Sequence, residues 1–215
     1  RIEDMLDRRW FTNNGVFVQE FERNLAAFTG VKHVIAITNA TIAQEIVVRA
    51  AGIKGEVILP SFTFVATAHA LQWQEITPVF CDVASGTHHL DPNRVEDMIT
   101  PRTTAIIGVH VWGAPCAIDE LTEIANRRGL HLIFDAAHAI GCSYKGSMLG
   151  GFGEAEFVSF HATKFLNSFE GGAVLTNDDA LANRVRYMRN FGFAGVDQVD
   201  YVGTNGKMTE VAAAM

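Results

Sequence analysis

Short β-branched runs, each followed by a stretch of helical period, recur along nearly the whole chain. This alternation constrains the fold more than any other feature. His33-Val34-Ile35-Ala36-Ile37 is apolar throughout, the mark of a strand buried on both faces. A helical stretch runs from Asn39-Ala40-Thr41 to Ala51, and Glu56-Val57-Ile58-Leu59 is a second strand that Pro60 ends. Phe64 to Trp73 reads as a helix and Thr77 to Cys81 as a strand, and Pro92 opens a helix after Asp91. Thr104 to Val111 is a strand, Ala117 to Arg128 a helix closed by Gly129, and His131 to Phe134 a strand. Phe157 to Phe160 and Gly172 to Leu175 are strands across a polar segment, and Asp178 to Asn190 is a helix. Strands joined by helices run parallel in one open sheet covered on both faces. The expected class is α/β with a mostly parallel central sheet, as one domain over residues 1–215.

Composition narrows the function. Of 215 residues, 48% are hydrophobic and 19% charged, enough to bury a sizeable core. Lys plus Arg number 17 against 24 for Asp plus Glu, so the net charge is 17 − 24 = −7, which argues against nucleic-acid or anionic-membrane partners. No apolar run nears the ~20 residues of a membrane span. Arg1-Ile2-Glu3-Asp4 is no signal peptide. Cys81, Cys116 and Cys142 are odd in number and far apart, which suits reduced thiols in a cytoplasmic protein. A start on Arg1 and a stop at Ala212-Ala213-Ala214-Met215, inside a helical pattern, point to a piece of a longer protein.

Ligands of such sheets bind at the carboxyl ends of the strands. Four segments fall there: Asn39-Ala40-Thr41, Pro60-Ser61-Phe62-Thr63-Phe64, Asp135, and Ser159 to Lys164. Asn39-Ala40-Thr41 starts a helix, where free N–H groups attract anions, yet the same residues make an ordinary N-cap. There is no Walker lysine and no G-x-G-x-x-G, and Gly150-Gly151-Phe152-Gly153 reads as a turn. Asp135 ends an apolar run, where a carboxylate is expensive to bury without a cationic partner. It can also cap the next segment, or pair with His138 at a metal that lacks a third ligand. Ser159-Phe160-His161-Ala162-Thr163-Lys164 is the sharpest feature. A lysine leaving an apolar strand and followed by Phe165-Leu166 is expected in a dry setting, where desolvation lowers its pKa as a Schiff-base lysine requires. The commoner fate of a lysine is a head in water. Glu170-Gly171-Gly172 offers a tight backbone approach before the next strand. His88-His89 is expected to be solvated, and His69 and His110 packed and hydrogen-bonded. No nucleophile elbow supports a hydrolase.

Many short segments in one order carry a resemblance. They include Gly30-Val31, Asn39-Ala40-Thr41, Pro60 to Thr67, Thr77-Pro78-Val79-Phe80, Ile99 to Thr103, Asp135-Ala136-Ala137-His138, Ser159 to Lys164, Glu170-Gly171-Gly172 and Gly203 to Met208. Together the chain resembles the DegT/StrS-type nucleotide-sugar aminotransferases, fold-type I enzymes that use pyridoxal 5'-phosphate. The resemblance implies a three-layer fold-type I large domain. In it, Lys164 links to the cofactor aldehyde and shuttles protons, and Asp135 faces the pyridine nitrogen. It places Ser159, Ala40 and Thr41 around the phosphate, Phe64 stacked on the ring, and His138 near the phenolic oxygen. It assigns Asn205 to the phosphate in the neighbouring subunit's site, and hence implies a homodimer with shared sites. The implied reaction moves an amino group from an amino-acid donor, L-glutamate, onto a keto-sugar carried by a nucleotide.

A carboxylate about 4 Å from a cationic ring nitrogen gains about 4 kcal/mol at an effective dielectric near 20. That corresponds to up to about three pKa units. Three features depart from the family pattern: His138 stands where many relatives carry Gln, Ala40 stands where Gly is common, and the smaller C-terminal domain is missing. A pyridoxal-phosphate sugar dehydratase and a silent dimerisation or regulatory domain are the rival readings. Lys164 speaks against the dehydratases, in which histidine takes that place.

Overall fold

The computed structural model describes all residues from Arg1 to Met215. Two helices, α1 (Ile2–Arg8) and α2 (Val16–Thr29), precede β1 (His33–Ile37). Then follow α3 (Ala40–Ala50), β2 (Glu56–Pro60), α4 (Val65–Gln72), β3 (Thr77–Cys81), α5 (Pro92–Val95), β4 (Thr103–Val109), α6 (Ile118–Arg128) and β5 (His131–Asp135). A small hairpin, β6 (Ser143–Tyr144) and β7 (Ser147–Met148), leads to β8 (Ala155–Ser159), β9 (Gly172–Thr176), α7 (Asp179–Met188) and α8 (Glu210–Ala214).

Seven strands form one sheet in the order β1-β9-β8-β5-β4-β2-β3. β2, β3, β4, β5 and β8 are mutually parallel, while β9 runs antiparallel to both β1 and β8. The sheet is therefore parallel except for β9, which returns along β8 without a crossover helix. Successive strand side chains point to opposite faces, and the core divides accordingly. Val34, Ala36, Ile58, Ile106, Leu132, Phe134 and Val158 pack with α2, α6 and α8. Ile35, Ile37, Val57, Leu59, Ile107, Ile133 and Phe157 pack with α3, α4 and α7. Pro78 lies in β3, an edge strand, where its missing N–H is tolerated.

Polar anchors fix the layers. Arg189, buried after α7, donates to Glu22 of α2 at 2.6 Å and to the carbonyl of Ala36 at 2.9 Å. Glu156 of β8 accepts from the N–H groups of Gly150 and Phe152 at 2.8 and 2.9 Å, which holds that turn. No helix is long and apolar enough to cross a membrane. Two expectations are corrected. His69 is exposed on α4 rather than packed. His88 is exposed as expected, with its ring centroid 4.7 and 5.0 Å from those of the exposed Phe62 and Trp112. His89 is half-buried.

Candidate active site

Because only β9 is reversed, the carboxyl ends of β1, β2, β4, β5 and β8 share one edge of the sheet with the first residue of β9. The register makes this concrete: Val109 lies opposite Asp135, Asp135 opposite Phe157, and both Ser159 and Ile37 opposite Gly172. Strand parity then sets direction. Asp135 follows Ile133 by two and Ser159 follows Phe157 by two, so both stand on the face covered by α3, α4 and α7. The starts of α3 and α4 lie over that same edge.

Asp135 is buried, and it has no ion pair. Within the chain its carboxyl oxygens are held by neutral donors. The Thr67 hydroxyl donates to Oδ2 at 2.8 Å and the Ala137 N–H to Oδ1 at 3.0 Å. Burial pushes the carboxyl above the usual carboxylate range, while these two bonds and the charges of His138 and His110 pull it back. His110, on the far side of β5 from the helix starts, donates its own backbone N–H to the Asp135 carbonyl at 2.9 Å.

Lys164 sits in the excursion between β8 and β9. The Phe160 N–H bonds to the Gly171 carbonyl, the Ala162 N–H to Phe169 and the Ser168 N–H to Phe160, so the segment closes like a long hairpin. Lys164 is half-buried. Desolvation holds its amine below the ordinary lysine value, and the negative charge of Asp135 opposes that shift. Phe165 and Leu166 do not supply the dry setting expected of them, because Phe165 is 93% exposed. The imidazole of His138 is held below its usual value by desolvation and then by the charge of Lys164, and Asp135 opposes both. Asp135, Lys164 and His138 thus lie within one another's electrostatic reach.

The start of α3 completes the cluster. Asn39 caps the helix by accepting from the Ile42 N–H at 2.8 Å, while the N–H groups of Ala40 and Thr41 donate to no group of the chain. Gly172 allows this approach, since a Cβ there would lie 2.6 Å from the Ala40 nitrogen. Ser159 Oγ accepts only from the His161 N–H, at 3.3 Å. These groups fit a phosphate-bearing pyridine aldehyde: two spare helix N–H groups and a hydroxyl for the phosphate, a buried carboxylate for a ring nitrogen, and a half-buried amine. Phe64 is the N-cap residue of α4 and is 72% exposed. Asn205 is exposed, in a segment tied to the end of β1 by the Thr38 N–H bond to the Gly206 carbonyl.

Sequence reasoning gave no role to Thr67, although it lies in a segment that carries the resemblance. Thr63 Oγ1 lies 2.8 Å from Thr67 Oγ1, and the buried Gln44 amide donates to the Thr67 carbonyl at 2.7 Å. The signal was a threonine three residues into a helix beside the carboxylate-bearing edge, visible only once α4 is placed over β5.

The family model described as the DegT/DnrJ/EryC1/StrS aminotransferase family matches residues 1–215. The chain belongs to that family. A relative from Escherichia coli, dTDP-4-amino-4,6-dideoxy-D-glucose transaminase, is 40% identical over 99% of the chain and 58% of its own length. GDP-perosamine synthase of Caulobacter vibrioides is 39% identical over 100% of the chain and 59% of its own length. The structure of DesI in the presence of its TDP-sugar product superposes with a TM-score of 0.95 at 51% identity, over 100% of this chain and 55% of that one. That of Bacillus subtilis ntda with bound cofactor PMP gives 0.92 at 30% identity, over 99% and 49%. The chain thus spans rather more than half the length of the curated relatives it matches.

Proposed function

We propose that the protein is a pyridoxal-phosphate-dependent aminotransferase that moves an amino group from L-glutamate onto a nucleotide-linked keto-sugar. It would act as a homodimer in the cytoplasm, where its free thiols stay reduced. One observation carries the reading: a buried carboxylate without an ion pair and a partly desolvated lysine within its field, at the carboxyl edge of the sheet.

The cofactor, when bound, supplies an electron sink for the carbanion formed at the amino carbon. Everything else falls to the chain. Asp135 holds a proton on the ring nitrogen by supplying the opposite charge. The N–H groups of Ala40 and Thr41 and the Ser159 hydroxyl would hold the phosphate, with Asn205 reaching it from the other subunit. His138 would serve the phenolic oxygen and Phe64 the ring. Lys164 Nζ, eased toward its neutral form by desolvation, would take the proton from the donor's α-carbon and deliver it to the former aldehyde carbon of the cofactor within the first half-reaction, and would run the same transfer in reverse when the keto-sugar takes up the amino group. The relatives' printed names support the sugar substrate.

The test is spectroscopic. Added pyridoxal phosphate should give a visible-range band, and borohydride should then fix the cofactor on a single peptide containing Lys164. Labelling on any other peptide, or none, ends this reading. Failure to form a keto-acid from glutamate and a nucleotide keto-sugar, with Lys164 still labelled, would favour a dehydratase.

A further inference from the structure

We propose that Thr67 is the positioning residue of Asp135, holding the carboxyl in one orientation and one charge state through a directed chain of hydroxyls. The inference rests on the proposed function for its consequence in catalysis, though not for the contact itself.

The direction of the chain follows from proton counting. A carboxylate only accepts, so the 2.8 Å bond to Asp135 Oδ2 uses the single proton of the Thr67 hydroxyl. Thr67 Oγ1 must therefore accept in its 2.8 Å contact with Thr63, whose hydroxyl is the donor. The order is Thr63 to Thr67 to Asp135, and each donor polarises the next. Backbone anchors fix the middle of the chain. Gln44, buried on α3, donates to the Thr67 carbonyl, and the Thr67 N–H bonds to the Phe64 carbonyl at 3.1 Å. The first turn of α4 is thus tied to α3, the helix whose start offers the spare N–H groups. With Oδ1 on the Ala137 N–H and Oδ2 on Thr67, both oxygens are held and the carboxyl cannot rotate freely. The remaining groups whose charge reaches Asp135 are the side chains of His110, His138 and Lys164, and none of them hydrogen-bonds to its carboxyl.

The experiment needs no cofactor at first. In the apoprotein with 13C-carboxyl aspartate, the Asp135 resonance is the one lost in Asp135→Asn. Thr67→Val, nearly isosteric, should raise its titration midpoint by about one pH unit, since a bond to the charged form is lost. Thr67→Ser, which keeps the donor, should restore the midpoint to within a few tenths. Thr63→Val, at a half-buried position, should give a smaller rise in the same direction and decides the matter if Thr67→Val fails to fold. After loading with pyridoxal phosphate, Thr67→Val should lower kcat about 10- to 100-fold with little change in KM. An unmoved Asp135 midpoint in whichever valine variants fold overturns the inference. A shifted midpoint in a protein that takes up no pyridoxal phosphate overturns the proposed function instead and leaves the role of Thr67 standing.

Discussion

At the scale of the residue, Asp135 serves function against stability. Burial of its carboxyl outweighs the two neutral hydrogen bonds and the charges of His138 and His110 that oppose it, so ionising it costs the folded state free energy. The sign follows from proton binding. With the folded pKa raised, the native state binds more protons than the unfolded chain in the window that opens near pH 4, so stability falls as pH rises through it. Asp135→Asn removes that penalty and keeps an acceptor for Ala137. The variant apoprotein should match wild type at low pH and be more stable by on the order of 1 kcal/mol at pH 7, by urea denaturation, while losing transamination. Equal stability at both pH values would mean that the carboxyl is not strained by burial. Lys164→Ala separates the other two roles in the site. Turnover should vanish, whereas cofactor affinity should persist in part, because the phosphate contacts proposed for Ala40, Thr41 and Ser159 do not involve the amine. Equilibrium dialysis with pyridoxal phosphate checks this.

At the scale of the element, the start of α2 depends on a residue from the far end of the chain. Gly15 has no side chain to cap the helix, and Glu210 does so instead, accepting from the N–H groups of Phe17 at 2.8 Å and Val18 at 3.2 Å. A Cβ at Gly15 would lie 2.5 Å from the Glu210 carboxyl carbon, so the glycine is what admits the carboxylate. Glu210→Ala should cost about 2 kcal/mol, as for strong helix caps, read from the chemical denaturation midpoint. Such long-range caps are not legible in sequence, because neither Gly15 nor Glu210 carries a local signal. Local signals were legible. Asp91-Pro92 and Asp178 start helices where expected, with both aspartates accepting from backbone N–H groups. Gly129 ends α6 as read. The hairpin at Ser143–Tyr144 and Ser147–Met148 escaped notice, since two-residue strands show no periodicity. The reversal of β9 escaped too, for a run buried on both faces looks alike in either direction. Asp135 and Lys164 could be singled out because a charge at the end of an apolar strand, or a few residues beyond it, is conspicuous. Thr67 could not, since a threonine in a helix is ordinary.

At the scale of the whole molecule, the loops at the carboxyl edge expose Phe62, Phe64, Trp112, Phe165 and Phe169 together. So many large apolar side chains on one edge suit a surface covered by another subunit. Asn205, which is exposed, is the residue whose assigned work lies across that boundary. Shared sites make a quantitative prediction. Lys164→Ala abolishes the amine, and Asn205→Asp sets a negative charge against the phosphate, so each variant alone should be inactive. A mixed dimer with two-fold symmetry carries one site with both defects and one with neither. Equal parts of the two variants, dissociated and reassociated, give half mixed dimers, and roughly a quarter of the sites should then be native. Recovery of about a quarter of wild-type activity on mixing, with none before it, is the expected result. Independent sites within each subunit would yield no recovery at any ratio, because every lysine-bearing chain would keep its own defective phosphate contact.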